Sequence, residues 1–379
     1  MNRGAQMRYS MLAMRSAQDL IRPARHLRGI DTGMLSLRKI LDGFLESRLP
    51  RLPSFFPDLE TRLSLCRDFG DFSLAYSTAV QRDLRYFGDG NGYIAFATKM
   101  GHTFVLGDPV ASEALRADYI RRFVSLSRAP CFVQISHATA SILAGMGYLV
   151  NEMGVETKLH LRSHSFAGKK NESVRYSEKW LLKNGYRIIE CDGSIADATA
   201  VRNISSNWRS SRIVSRREMR FLNRPFDPDL APHMRRFMIV EPDGRTSALL
   251  DFDPIFKDGH VVGYTAAFKR KLVGTTPHAE IGMTKFATDR FREEGRWEVS
   301  FGLSPLAAIA ASGFAESRLW RSCFERAYRS KRVNTRVFNL QGQAAFKRRF
   351  HGHERATYIA FKRGTPLQML ALLRLLKTL

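Results

Sequence analysis

Between Val261 and Pro305 the chain alternates apolar and polar residues with period two, passes through a polar loop, resumes at helical spacing and then alternates again. Val262, Tyr264, Ala266 and Phe268 are expected on one face of a strand, with Val261, Gly263, Thr265 and Ala267 on the other. The strand ends in the cations Lys269, Arg270 and Lys271, followed by Gly274, Thr275, Thr276 and Pro277. Met283, Ala287 and Phe291 then stack at i, i+4 spacing, predicting a helix that Gly295 stops. Trp297, Val299, Phe301 and Leu303 mark a second strand, broken at Ser304-Pro305. This order predicts a parallel strand-helix-strand crossover, with its loop at the carboxyl ends of the strands, where open α/β sheets bind ligands. Three cations beside a helix N-terminus predict a site for an anion or an acyl donor; the bland alternative is a solvated loop with a basic rim.

The same reading extends along the chain. A helix is expected over 59–67, with Leu59, Leu63 and Cys66 on one side, then strands over 73–76, 84–87, 92–98 and 103–107. Asp89-Gly90-Asn91-Gly92 is a strong hairpin signal. A helix over 112–127, a strand over 131–135, a short helix around Ile142 and strands near Tyr148 and over 155–161 complete a first module. Residues 166–184 read as a basic linking helix, followed by a strand over 186–190 and a helix over 195–208. A second module repeats the plan: strands over 237–240 and 247–252, the unit described above, helices over 317–328 and from Gln341, and a strand over 358–361. The division is 1–56, a basic arm and linker; 57–165, the first module; 166–220, linking helices; 221–365, the second module; and 366–379, an apolar helix. The last helix is too short to span a bilayer and either packs on the body or lies on a membrane. A β-rich start and an alternating finish, seen twice, predict a duplicated α/β fold with mixed sheets.

Composition adds one departure from the ordinary. Against 36 Asp plus Glu stand 60 Lys plus Arg, a net charge of +24, with a pI near 10.4. Such a field favours nucleic acid, anionic headgroups or both. Residues 1–30 hold six arginines against Asp19, which reads as a disordered basic arm, with an amphipathic membrane-surface segment or an organelle transit peptide as the alternatives. Leu49-Pro50-Arg51-Leu52-Pro53 reads as a linker. The four cysteines are widely spaced, consistent with a cytosolic chain carrying free thiols, and the histidines, His351 and His353 among them, lack the further ligands of a metal site. No apolar run reaches the roughly 20 residues of a membrane span, and no secretory signal is read at the start.

Several motifs then fall in a familiar order: Gly107-Asp108-Pro109-Val110, Glu152-Met153-Gly154-Val155-Glu156, Phe166-Ala167-Gly168-Lys169-Lys170 with Arg175, Gly302-Leu303-Ser304-Pro305-Leu306-Ala307, and Phe338-Asn339-Leu340-Gln341-Gly342 with Lys347 and Phe350. Over about residues 60–362 they resemble the soluble C-terminal domain of phosphatidylglycerol lysyltransferases. That resemblance implies two tandem Gcn5-related N-acyltransferase-like domains. It also implies an aminoacyl-tRNA:lipid aminoacyltransferase with aminoacyl-tRNA as co-substrate, no further cofactor, and an anionic phospholipid acceptor. The setting it implies is cytoplasmic and peripheral at the inner face of the membrane. In the family this domain usually follows a membrane-embedded flippase domain, for which the present sequence has no counterpart.

The resemblance places a functional arginine at Arg270, while the family's aspartate three residues earlier falls on Ala267. Glu280, at the start of the crossover helix, and Asp251 or Asp253, on the adjacent strand, are the candidates to supply the missing carboxylate. Ser304 is a candidate oxyanion donor. Glu156, Lys269, Lys271, Asn339, Lys347 and His278 are candidate substrate contacts, His278 also as a base, and Asp108 reads as a turn residue. Two alternatives stand beside this reading. One is an N-acyltransferase using acyl-CoA or an acyl carrier, although Lys271-Leu272-Val273-Gly274-Thr275-Thr276 matches a pyrophosphate loop only in part. The other is a module that binds tRNA or anionic membrane without catalysis.

Overall fold

A computed structural model describes residues 42–53, 55–191, 193, 195–211 and 220–378. It comprises two compact units, Met1–Arg48 and Leu49–Leu379. In the first, residues 42–47 are helical; the arginine-rich stretch 1–30 lies outside the described residues.

Leu49–Leu379 is built on a sheet of twelve strands. Its elements in chain order begin with α1 (Leu59–Phe69), α2 (Ala75–Val80), β1 (Arg85–Asp89), β2 (Gly92–Lys99), β3 (His102–Leu106), β4 (Val110–Ala111), α3 (Glu113–Leu126), β5 (Cys131–Ile135), α4 (His137–Gly145) and β6 (Leu149–His160). A single 3-10 turn, α5 (Glu172–Lys183), β7 (Arg187–Glu190) and α6 (Ile195–Ser211) lead to the second half. There follow β8 (Arg235–Val240), β9 (Thr246–Lys257), β10 (His260–Lys271), α7 (His278–Glu293) and β11 (Glu298–Pro305). The chain closes with α8 (Arg318–Arg329), α9 (Lys331–Arg336), α10 (Leu340–Arg348), β12 (His353–Phe361) and α11 (Pro366–Leu375).

The strands lie in the order β1-β2-β3-β5-β12-β6-β11-β10-β9-β8-β7, with β4 on β2. Two neighbouring pairs are parallel, β3 with β5 and β10 with β11. Each is bridged by a crossover with one helix, α3 in the first half and α7 in the second. The fold is therefore mixed α/β, with two halves on one plan. The halves trade their last strands. β12 pairs with β5 of the first half, β6 pairs with β11 of the second, and β6 and β12 pair with each other from His353↔Lys158 to Phe361↔Leu149. Neither half completes its sheet without a strand of the other.

Apolar periodicity explains which faces are covered. Phe291, Ala287 and Met283 of α7 are fully buried with Phe237, Leu250 and Phe252 of the sheet, and Phe291 stacks on Tyr264 at 4.3 Å between centroids. Burying one such phenylalanine contributes about 2–3 kcal/mol. On the opposite face α6 covers Met238 and Leu249 with Val201 and Ile204. α11 packs on β2 and β3 through buried Met369, Ala371 and Leu372, so of its two expected placements the packed one is found.

Three expectations are corrected. Residues 73–76 lead into helix α2 rather than forming a strand: a short apolar run has no decisive period, and Tyr76 is buried with its hydroxyl donating to Pro232 O. The strands near Tyr148 and over 155–161 are one strand, β6. Its glycine is a point of close approach rather than a break, for Gly154 has φ +144° and a Cβ there would stand 2.3 Å from Ser304 O. The uniform face expected for Val262, Tyr264, Ala266 and Phe268 is also broken. Partners step from Ala266↔Phe252 to Phe268↔Asp251, so Ala267 is an extra, bulged residue. Tyr264 packs under α7, whereas Phe268 and Arg270 turn to the opposite face against Phe226.

Candidate active site

The parallel pairing of β10 with β11 runs from Gly263↔Glu298 to Thr265↔Ser300 and stops there. Beyond it both strands carry irregularities, at Ala267 in β10 and between Ser300 and Leu303 in β11. In β11 the irregular stretch contains Gly302 at φ +66°, a backbone conformation that suits glycine. Bulges increase local twist and re-aim side chains, and here the strands part. A cavity of about 240 Å3 opens between them, lined by residues 265–270 of β10 and by Phe301, Gly302, Leu303 and Pro305 of β11. Leu250, Thr284 and Lys347 line it from the α7 face of the sheet, and Arg224, Asp253 and Trp208 from the α6 face. Its wall is thus built from both faces of the sheet.

The lining is rich in charge. Arg270 is 1% exposed, and its Nη1 donates to Ser205 Oγ at 2.5 Å. Its guanidinium lies 3.7 Å from the centroid of the Phe226 ring and 4.7 Å from that of Trp208, a geometry that holds a cation by the ring faces. Arg224 grips Asp253, Nη2 to Oδ1 at 2.8 Å and Nε to Oδ2 at 3.0 Å. Burial raises the Asp253 carboxyl above its ordinary range while Arg224 opposes the shift. Lys269 lies 3.2 Å from the Phe346 ring centroid and 3.6 Å from Glu280. Burial lowers its pKa, with Glu280 opposing. Lys347 Nζ donates to Gly302 O at 3.0 Å and Leu303 O at 2.6 Å, reaching across to the bulged segment of β11. Burial, with Lys269 adding, pushes this ammonium down to about 7, while Glu156 opposes.

Of the residues singled out in the sequence, Arg270, Lys269 and Lys347 line the cavity, as does Ala267, where the resemblance expects an aspartate. Asp253 is the carboxylate among the lining residues. Glu156 stands behind the wall, accepting from Ser300 Oγ at 2.6 Å. Glu280 and Lys271 are paired at 3.4 Å at the first turn of α7, off the lining.

The other candidates are placed away from the cavity for identifiable reasons. Asp251, completely buried, is held by Arg236 through Nε at 2.6 Å and Nη2 at 2.8 Å. Strand alternation turns Leu303 and Pro305 to the cavity and Ser304 away. Asn339 caps α10, its Oδ1 accepting from Gly342 N at 2.9 Å. His278 stacks on Trp180 at 4.7 Å, with Nδ1 3.3 Å from Ser177 Oγ. Asp108 accepts from Ser136 N at 3.0 Å, a turn contact. Sequence reading missed Arg224, Thr284 and Phe346. Arg224 sits before Pro225 in an irregular segment where no period singles it out.

The loop from β10 to α7 bears on the donor. A pyrophosphate needs free backbone amides before the helix. Here Leu272 N donates to Ser247 O, Thr275 N to Leu272 O, and Ala279 N to Thr276 O. Val273 N donates to Asn207 Oδ1 and His278 N to Thr276 Oγ1, and Pro277 has no amide hydrogen. Most of the amides at this turn are already engaged within the protein.

Residues 64–361 match the family described as phosphatidylglycerol lysyltransferase, C-terminal. A phosphatidylglycerol lysyltransferase of Bacillus subtilis (strain 168) is 23% identical over 306 residues, 76% of this chain and 33% of the relative. The chain thus spans about a third of the length of the curated relative it matches. Among solved structures, that of L-PGS from Bacillus licheniformis aligns with TM-score 0.69 at 19% identity, covering 86% of this chain and 99% of that one. The C-terminal domain of a putative lysylphosphatidylglycerol synthetase from Agrobacterium fabrum aligns with TM-score 0.69 at 20% identity, covering 83% and 95%.

Proposed function

The chain belongs to the phosphatidylglycerol lysyltransferase C-terminal domain family, and from that premise we propose that it moves an aminoacyl group from aminoacyl-tRNA to a hydroxyl of a phosphatidylglycerol-like lipid. The observation that carries the reading is the cationic cavity in the parted strands, lined from both faces of the sheet. An RNA-borne ester entering from one face can meet a lipid headgroup entering from the other. The lipid oxygen attacks the ester carbonyl carbon, a new C–O bond forms, the bond to the ribose oxygen breaks, and the lipid hydroxyl proton ends on that ribose oxygen. Ester exchange is close to isoenergetic, so alignment, oxyanion stabilisation and one proton transfer suffice. No metal or prosthetic group enters this scheme.

Arg270, rigidly stacked on its rings, offers a fixed positive charge to a phosphate or to the oxyanion. Lys347, near neutrality in its pKa, suits the relay of the proton. Glu156 and Lys269 flank it, while Asp253, gripped by Arg224, is the carboxylate within reach of the amino group of the donor. A net charge of +24 favours both polyanionic substrates and a peripheral position at an anionic inner leaflet.

The engaged amides before α7 count against acyl-CoA as the donor. The test is transfer of radiolabel from aminoacyl-tRNA into phosphatidylglycerol vesicles. Label in the lipid phase, abolished by ribonuclease, is expected. Transfer from acyl-CoA instead, or binding of tRNA and vesicles with no transfer from any aminoacyl donor, would overturn the proposal.

A further inference from the structure

Outside the cavity the most distinctive surface is the helical pair α8 and α9. Arg318, Arg326, Arg329, Lys331, Arg332 and Arg336 are all exposed, and among the described residues none of them takes part in an ion pair. On α8 the three arginines fall within an arc of roughly 80° and span about 16 Å of the axis. On the opposite side Trp320, Phe324 and Tyr328 are half-buried against the body, while Leu319 remains exposed. Trp320 Nε1 donates to Gly364 O, and Tyr328 packs on Val155, Ala307 and Ala344. Ser330 caps α9, accepting from Val333 N, and fixes the second helix directly after the first. Two residues past Arg336 the chain reaches Phe338 of the cavity wall, and α10 then supplies Gln343, Phe346 and Lys347.

We propose that this basic strip is the docking surface for the phosphate backbone of an RNA, holding the donor so that its acylated end enters the cavity past Phe338. The inference rests on the aminoacyl-tRNA reading above. A bilayer would require the reverse arrangement, since interfacial helices bury their apolar face in the lipid and keep cations at the rim. Here Trp320, Phe324 and Tyr328 are half-buried on the side towards the protein, Leu319 alone of the large apolar residues of α8 is exposed, and the row of cations faces outward, which matches a polyanion.

The test is binding of uncharged tRNA by the full chain as a function of salt, with phosphatidylglycerol vesicles as the parallel arm. In the triple variant Arg326→Gln/Arg329→Gln/Lys331→Gln, tRNA affinity at 100 mM salt is expected to fall about tenfold or more. The slope of log affinity against log salt should decrease by about 2–3, near 0.7–0.9 per lost phosphate contact. Vesicle binding should stay at the wild-type level. The charge-preserving variant Arg326→Lys/Arg329→Lys should retain most of the affinity and shows whether the site itself survives substitution. A fall in vesicle binding with tRNA binding intact would assign the strip to the membrane and overturn the proposal. Unchanged tRNA binding in the triple variant of a wild type that binds tRNA would overturn this surface alone. A wild type that binds no tRNA would overturn both the surface and the proposed donor.

Discussion

Asp251→Ala removes a carboxylate from a completely buried position and leaves the guanidinium of Arg236, itself 1% exposed, without its counter-ion. The sequence offers Asp251 as a catalytic carboxylate; the structure places it in a two-point grip with Arg236, whose Nη2 also donates to Asp227 O. Breaking one partner of a buried pair costs about 3–5 kcal/mol, because the remaining charge is desolvated and unpaired. With an unfolding entropy near 2.1 cal/mol/K per residue over roughly 330 residues, about 0.7 kcal/mol/K in all, the thermal midpoint should fall by about 4–7 °C. The assay is thermal unfolding of wild type, Asp251→Ala and the double variant Asp251→Leu/Arg236→Met, alongside transfer measured per folded molecule at a temperature where all three are folded. The single variant should lose stability and keep its transfer rate within about threefold, and the double variant should recover most of the midpoint, since a buried ion pair exchanged for apolar groups is often neutral. A loss of transfer of about 100-fold with a midpoint shift under about 1 °C would refute the reasoning and return Asp251 to the chemistry.

The remaining expectations concern the cavity and its walls. Arg270→Ala should lower transfer about 100-fold, near 3 kcal/mol of transition-state stabilisation, with the circular dichroism spectrum unchanged; unaltered turnover would remove Arg270 from the site. Lys347 is depressed from 10.5 to about 7. Below pH 7 its ammonium is charged folded and unfolded and the folded state carries the burial penalty. Between about pH 7 and 10.5 the unfolded state binds more protons, so its contribution makes stability rise with pH through that window. Denaturant midpoints of wild type and Lys347→Met across pH 6–10 check this, and parallel curves would count against it. Ala267→Asp adds a carboxylate to the cavity lining and should raise the use of lysyl relative to uncharged aminoacyl donors about fivefold or more; identical preferences in competition assays would show that position 267 does not set donor charge. Gly154→Ala should destabilise by about 2–3 kcal/mol, because the new Cβ would meet Ser304 O at 2.3 Å where φ is +144°. Wild-type stability in that variant would refute the close approach of β6 and β11.

By itself the sequence determined the local elements and the repeated plan. The hairpin at residues 89–92, the α7 row of Met283, Ala287 and Phe291, and the crossover from β10 to β11 follow from turn chemistry and period, which act over a few residues. Motif order carried the family. Tertiary structure alone decided which way the charged residues face. One extra residue at Ala267 turns Arg270 from the α7 face to the α6 face, because a strand with period two reverses every side chain beyond a bulge. Arg224, distant in sequence and local to no pattern, enters the cavity only because its loop folds back to Asp253. The exchange of β6 and β12 between the halves is equally invisible along the chain, since strand neighbours are chosen by long-range packing and backbone pairing, not by adjacency in sequence.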